Sequence, residues 1–185
     1  MQKAQGFSLI ESTIIMIILC IFLIIAQNSF RHLQKKHQAD YISSVLQSLI
    51  LNARTSAITS RTPLTLCGSS NGTGCDNNWS IGTLLLKDAN RNGIVDANDK
   101  IIRFIPFQLK QAQIVWSGFN GNKITFESMG ITSASNGTFT YCQIDKDPKY
   151  SRQLIINRGG RPRKSLDSNL DGIHESITGN FINCP

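Results

Sequence analysis

A run of cations late in the chain is the segment whose residue types point most directly to chemistry. A guanidinium group donates two parallel hydrogen bonds to a phosphate. In an extended segment Arg161 and Arg163 project from the same side about 6.6 Å apart, close to the phosphate repeat of one DNA strand. The run predicts a surface for an anionic backbone, with a solvated basic loop as the alternative. Its six cations are Lys149, Arg152, Arg158, Arg161, Arg163 and Lys164.

The residues between these cations favour a defined geometry. Gly159 and Gly160 permit a turn or a close approach to a ligand. Pro162 stiffens the chain, so less entropy is lost on binding. Contacts with backbone phosphates carry no sequence information, so we predict non-specific binding. Tyr150 could stack on an unpaired base, but we expect it to be a packing residue.

An acidic segment, residues 88–99, has the spacing D-x-N-x-N-G-x-x-D-x-x-D. This places oxygen-bearing side chains where a calcium loop has them, although its last position is Asp where an EF-hand uses Glu. Both flanks read as strands and not as helices, so we favour a turn rich in Asn, Asp and Gly over a calcium site. A shorter copy at residues 167–172 is weaker still. The calcium candidates are Asp88, Asn90, Asn92, Asp96 and Asp99.

Catalytic motifs are missing from the sequence. It contains no G-x-S-x-G, no H-E-x-x-H and no P-loop. His174 and Glu175 are adjacent but have no nucleophile in register, and His32 and His37 have no Cys or Asp at ligand spacing with both. We predict that the protein is not an enzyme and has no cofactor other than the calcium considered above.

Five cysteines constrain the compartment. Cys20 lies within an apolar run and is expected to pack as a small apolar side chain. The remaining four are an even number, as expected in an oxidising compartment, and allow three pairings. We favour Cys67–Cys75, which closes a short loop, and Cys142–Cys184, which ties down the C-terminus; free thiols are the alternative.

The N-terminal region predicts one long helix. Residues 7–26 carry a single charge, Glu11, and 20 helical residues span the ~30 Å hydrocarbon core of a bilayer. No Gly or Pro interrupts residues 7–62, and apolar residues then recur at steps of three and four. We predict a helix over residues 7–60, about 80 Å long, whose second half lies against a globular domain.

After residue 60 the pattern changes to short β-rich runs separated by turns. Several runs alternate apolar and polar residues, so one face of each is buried. The sequence predicts an α+β fold in which the long N-terminal helix packs against an antiparallel sheet or two sheets. The predicted strands are 62–67, 79–87, 100–106, 113–117, 123–127, 138–144, 152–157 and 177–183.

The start of the chain resembles a known family. G-F-S-L-I-E followed by an apolar run is similar to the N-terminus of type IV pilins and type II secretion pseudopilins. The resemblance implies that a prepilin peptidase cuts after Gly6, that Phe7 is N-methylated, and that Glu11 faces the N-terminal amine of a neighbouring subunit. It implies a leader (1–6), a membrane half-helix (7–26), a periplasmic half-helix (27–60) and a globular domain (61–185).

The location of the globular domain rests on this resemblance. Lys3 precedes the apolar run, whereas Arg31, Lys35 and Lys36 follow it, which by charge alone would place residues 27–185 in the cytoplasm. The family and the even cysteine number favour a single-pass inner-membrane protein with a periplasmic domain that joins a pilus or pseudopilus. From residue 27 onward that part has 18 Lys and Arg against 11 Asp and Glu, which favours an anionic partner.

The order of later features is similar to the GspH/FimT branch of pilin-like proteins. A Cys–Cys loop precedes Trp79, Gly82 and the Asp/Asn-rich turn, and residues 155–163 read I-I-N-R-G-G-R-P-R. The G-R-x-R element resembles the one associated with DNA binding in FimT-type minor pilins. It implies a minor pilin that assembles with other major and minor pilins and binds DNA for natural transformation. The alternative is a structural minor pseudopilin that primes or caps a filament without binding DNA.

Overall fold

One long helix precedes eight strands in this computed structural model, which describes residues 8–88, 90, 92–119, 121–132 and 134–185, without the side chain of Asn28. Helix α1 covers Leu9–Ser60, as predicted to within two residues at its start. A short 3₁₀ helix, Pro148–Tyr150, precedes the seventh strand. The strands are β1 Leu64–Gly68, β2 Gly82–Lys87, β3 Lys100–Pro106, β4 Ala112–Gly118, β5 Lys123–Phe126, β6 Gly137–Gln143, β7 Arg152–Ile156 and β8 Pro162–Lys164.

The chain divides into two compact units, Met1–Gln38 and Ala39–Pro185. The described part of the first unit is helical, and its large apolar side chains from Leu9 to Ile25 are exposed. Among the described residues, α1 is the helix long and apolar enough to cross a membrane. A helix apolar on every side requires an apolar surrounding, which a bilayer supplies.

The second unit begins inside α1, because residues 39–60 contribute one apolar stripe to its core. Ala39, Ile42, Leu46, Ala53 and Ala57 are all buried. Their spacing of three, four and seven residues places them on one helix face. This confirms the amphipathic pattern predicted for the second half of the helix.

Two antiparallel four-stranded sheets complete the second unit. Sheet A has the strand order β3-β2-β1-β5, and sheet B has the order β4-β6-β7-β8. Apolar residues of both sheets and of α1 share one core. Within it, the ring of Phe139 lies 4.8 Å from that of Trp79 and 4.6 Å from that of Trp116. The predicted α+β fold is confirmed, and of the two alternatives, one sheet or two, the structure has two.

The predicted strand at residues 177–183 is wrong. Glu175 forms isolated bridges with Leu166 and Phe181, and no strand covers 177–183. The eighth strand is β8, which lies within the run of cations. It pairs with β7 through Ile155↔Arg163. Pro162 cannot donate a backbone hydrogen bond, and a sheet tolerates such a residue in an edge strand, which β8 is.

Both predicted disulfides are present. Cys67 of β1 is bonded to Cys75 with a Cα–Cα distance of 5.7 Å. Cys142 of β6 is bonded to Cys184 with a Cα–Cα distance of 5.9 Å. The first closes a loop beside sheet A, and the second ties the C-terminus to sheet B.

Candidate nucleic-acid interface

A rigid hairpin turn joins β7 to β8 and presents the central part of the basic run. Gly160 N–H donates to the Asn157 carbonyl at 2.9 Å, and Asn157 N–H donates to the Arg161 carbonyl at 3.3 Å. The Asn157 side chain also accepts from Arg161 N–H at 3.0 Å. Asn157 therefore closes the turn through both its backbone and its side chain.

The turn is also anchored to the loop before β6. Thr132 N–H donates to the Arg158 carbonyl at 2.9 Å, and the Thr132 hydroxyl donates to the Asn157 carbonyl at 3.0 Å. Gly160 has φ +71°, and a Cβ there would overlap the carbonyl oxygen of Gly130. Glycine is required at this position by both its backbone angle and this close approach.

Three arginines are exposed on this hairpin: Arg158 in the turn, Arg161 at its end and Arg163 in β8. Arg163 pairs directly with Ile155, which in turn pairs with Thr138. Residues directly opposite in a sheet share a face, so Arg163 lies on the outer face of sheet B. The hairpin thus holds three guanidinium groups on one anchored element.

Lys164 lies on the other face of β8. Its ammonium nitrogen is 2.9 Å from the Ser44 hydroxyl oxygen on α1. Successive residues of a strand face opposite sides. Lys164 therefore adds positive charge along the edge of the sheet but does not extend the face that carries Arg163.

Arg152 is a structural residue, and its assignment to the binding surface is wrong. Its side chain is 4% exposed, and its Nε donates to the Asp40 carboxylate at 2.8 Å. Its Nη1 donates to the carbonyls of Lys149 and Ser151 at 3.0 and 2.9 Å. The guanidinium group of Arg152 therefore links α1 to the start of β7 through its hydrogen bonds.

Lys149 is exposed but lies at the opposite end of β7 from the hairpin turn. The five residues of β7 separate the two by about 17 Å of extended chain. Tyr150 is 4% exposed, which confirms it as a packing residue. The run of cations that is continuous in sequence is therefore divided in space.

The acidic segment 88–99 closes on its own hydrogen bonds. Asp88 is fully buried, and its carboxylate accepts from Asn92 N–H at 3.1 Å and Gly93 N–H at 2.8 Å. Asn90 donates to the Asp96 carboxylate at 2.9 Å, and Asp96 N–H donates to Asp99. The backbone N–H of Asn98 and the amide of Asn90 lower the pKa of Asp96. β2 and β3 flank this loop, as predicted; residues 89 and 91 lie outside the described residues.

The shorter copy has a member that sequence reasoning missed. Carboxylate oxygens of Asp167, Asp171 and Glu175 lie within 4.8 Å of one another. Asp167 accepts from Gly172 N–H at 2.9 Å, and Glu175 accepts from Ser168 N–H at 2.8 Å. The sequence carries a signal for this residue, because Glu175 is an acid at the ninth position of a motif that starts at Asp167.

The histidine paired with Glu175 in sequence has a packing role. His174 Nδ1 lies 2.9 Å from the Ser165 carbonyl oxygen, at the end of β8. Burial, and next the positive charge of Arg152, lower the pKa of His174. The neutral ring donates to Ser165 and holds the segment after β8 against sheet B.

The residues predicted to direct processing and assembly are at the N-terminus. Gly6 and Phe7 lie outside the described residues. Glu11 is exposed in the first turn of α1, and its N–H donates to the Ser8 carbonyl at 3.1 Å. Its predicted pairing with a neighbouring subunit stays a prediction.

A long N-terminal helix, apolar in its first half, precedes two packed antiparallel sheets, and this architecture can be compared with known families. The profile of the family described as "Type II transport protein GspH" matches residues 43–160. The chain belongs to this GspH family of type IV pilin-like proteins. The match ends at Gly160, one residue before Arg161.

Solved structures share the fold. The type IV minor pilin FimU of Pseudomonas aeruginosa is 19% identical, with a TM-score of 0.57 over 75% of this chain and 94% of that one. The minor pseudopilin EpsH of the Vibrio cholerae type 2 secretion system is 14% identical, with a TM-score of 0.50 over 71% and 98%. A search of curated sequences gave no match. The family match makes the protein a pilin or pseudopilin, a kind of protein that associates with other pilins, and α1 is long and apolar enough to anchor it in a membrane.

Proposed function

We propose that this protein is a FimT-type minor pilin that binds DNA non-specifically for uptake in natural transformation. It is made as a prepilin, cut after Gly6 by the prepilin peptidase and N-methylated at Phe7. It is held in the inner membrane with its globular part in the periplasm. It then joins a pilus or competence pseudopilus, where Glu11 pairs with a neighbouring subunit.

The observation that supports DNA binding is the hairpin with Arg158, Arg161 and Arg163 exposed on an anchored turn. Guanidinium groups held in place lose little entropy when they bind phosphates. Contacts of this kind neutralise backbone charge and release counterions, so affinity falls with added salt. Lys164 and Lys149 contribute charge at longer range.

The test is a DNA titration of the full chain in lipid nanodiscs. Changing Arg158, Arg161 and Arg163 together to Gln should weaken binding at least tenfold, or about 1.4 kcal/mol. The slope of log affinity against log salt should shrink by up to about three, since each lost phosphate contact removes ~0.9. Duplexes of unrelated sequence should bind the wild type equally.

The matched control removes three exposed cations elsewhere: Lys87, Lys100 and Lys110, each changed to Gln. It lowers the net charge by the same amount but leaves the hairpin intact. Affinity should stay within about threefold of wild type, since long-range attraction is screened beyond ~10 Å at 0.1 M salt. Equal losses of DNA affinity in both triple variants would show that binding depends on net charge alone. No loss of affinity in either variant would contradict the DNA proposal.

A structural minor pseudopilin without DNA binding is the second candidate. The description of the matched family, a type II transport protein, favours it, as does the end of the match before Arg161. In this reading the protein primes or caps a filament. Loss of secretion on deletion, together with wild-type behaviour of the triple hairpin variant, would support it over DNA uptake.

A further inference from the structure

A groove runs along the flank of the second unit, between α1 and the outer strand of sheet A. Its volume is about 310 Å³. Leu49 and Asn52 of α1 form one wall. The floor and the other wall include Thr83 and Leu85 of β2, and Arg103 and Ile105 of β3. The groove is separate from the hairpin, since the two lie on different sheets.

One polar group in this groove has no partner. Thr83 is 1% exposed, and its hydroxyl makes no hydrogen bond to any described residue. A buried hydroxyl that has left water without a replacement bond destabilises the folded state. A guest with a hydrogen-bonding group in the groove would remove that penalty.

The register of sheet A shows which side chains face this groove. Leu85 pairs with Arg103, and Thr83 pairs with Ile105. Residues directly opposite share a face, so these four side chains point toward α1. The β2 residue of each pair, Leu85 or Thr83, is buried, whereas Arg103 of β3 is exposed at the rim. The groove thus has an apolar floor, one internal hydroxyl and a cation at its mouth.

The outer edge of β3 is open. In the described residues β3 pairs with β2 alone, and it has seven residues. Its edge presents backbone N–H and C=O groups that an added strand can pair with. Side chains of such a strand alternate, so every second one would enter the groove beside Arg103.

We propose that the groove and the free edge of β3 bind an extended segment of a neighbouring pilin subunit. The segment carries an acidic side chain with an apolar residue two positions away. Its carboxylate pairs with Arg103 at the rim, the neighbouring apolar side chain covers Leu49 and Leu85, and the Thr83 hydroxyl gains a partner. Charge complementarity and the free strand edge together select a peptide of this kind.

The test is site-specific photo-crosslinking with the full-length protein in cells that assemble the filament. Benzoylphenylalanine replaces Ile102, which lies at an irregularity in the β2–β3 register, lines the groove beside Arg103 and is 47% exposed. We expect an adduct with another pilin subunit, mapped by mass spectrometry to an extended segment containing Asp or Glu. The control places the probe at Phe119, which is 75% exposed and lies in the turn that joins β4 of sheet B to β5 of sheet A.

Two variants make the outcome decisive. Arg103→Glu should reduce the adduct at least fivefold. Thr83→Val keeps the shape but removes the hydroxyl, so it should raise Tm by about 2–4 °C and still reduce the adduct. A hydroxyl without a binding role would give the Tm rise and leave the adduct unchanged.

Three results would overturn the proposal: no adduct at Ile102, an adduct with lipid or a non-pilin protein, or the same adduct from the Phe119 control. Because Thr83→Val is expected to be more stable than wild type, poor folding cannot account for a loss of its adduct. Immunoblots of protein level accompany each variant.

Discussion

The two sheets present their outer strands in contrasting ways. The hairpin that leads into β8 of sheet B carries three exposed arginines, and it is closed by Asn157 and anchored by Thr132. β3 of sheet A carries one exposed arginine beside a groove that contains an unpartnered hydroxyl. Charges held outward suit a polyanion, whereas a groove beside a free strand edge suits a peptide. The two proposals thus assign a different kind of recognition to each sheet.

The largest expected difference between the sheets is in their disulfides. In the chain-entropy model, the stabilisation by a disulfide is a constant plus a term that grows with the logarithm of the length of the loop it closes. Cys142–Cys184 spans 42 residues and Cys67–Cys75 spans 8. Changing both cysteines of a pair to Ser should lower the free energy of unfolding by about 4 kcal/mol for Cys142–Cys184 and about 2.5 kcal/mol for Cys67–Cys75.

Denaturant unfolding of the full chain in nanodiscs measures this difference. The fluorescence of Trp79 and Trp116 reports on the shared core, where both rings contact Phe139. Equal losses for the two pairs would show that strain or residual unfolded structure, and not loop length, determines the effect.

The next prediction compares the stability lost when a buried arginine of sheet B and an exposed arginine of sheet B are each replaced. Arg152→Met leaves the carbonyls of Lys149 and Ser151 without their donor, while Asp40, 50% exposed, stays solvated. We expect a loss of about 2 kcal/mol. The matched change Arg163→Met should stay within about 0.5 kcal/mol. DNA affinity should fall more for Arg163→Met than for Arg152→Met. A larger stability loss for Arg163→Met would contradict the assignment of Arg152 as the structural residue.

A smaller effect is expected from pH at the end of β8. Burial lowers the pKa of His174 below its usual 6.5, so the folded chain takes up its proton at lower pH than the unfolded chain. The free energy of unfolding should therefore fall as pH drops through 6.5 and level off below the folded pKa. His174→Gln should remove this contribution, and an identical pH profile for the two proteins would contradict it.

The smallest expected effect concerns the two acidic loops. Segment 88–99 beside sheet A and segment 167–175 after sheet B both close through hydrogen bonds from their own backbone. We expect calcium or a chelator to shift Tm by less than about 1 °C. A rise of several degrees with calcium, abolished by Asp88→Asn or by Asp167→Asn, would identify which loop binds the cation.

Much of the fold could be predicted because local patterns decide it. The uninterrupted run before Pro63 predicted α1, and short β-rich runs between turns predicted seven of the eight strands. The strand predicted at residues 177–183 is absent because apolar residues there, such as Ile177 and Phe181, are exposed and do not pack on a sheet face. β8 was missed as a strand because it has three residues and owes its conformation to its pairing with β7.

The candidate site could be predicted only in part. Sequence showed that six cations lie between residues 149 and 164, and that glycines between them permit a turn. By itself it predicted the helix and the strand-rich domain, favoured the two cysteine pairs among three pairings, and showed a resemblance to the family. The tertiary structure alone decided which cations are available. Asp40, 112 residues before Arg152 in the chain, removes that arginine from the surface, and Ser44 draws Lys164 toward the helix. Helical and strand periodicity are local, whereas the partner of a charge depends on which distant elements the core brings together.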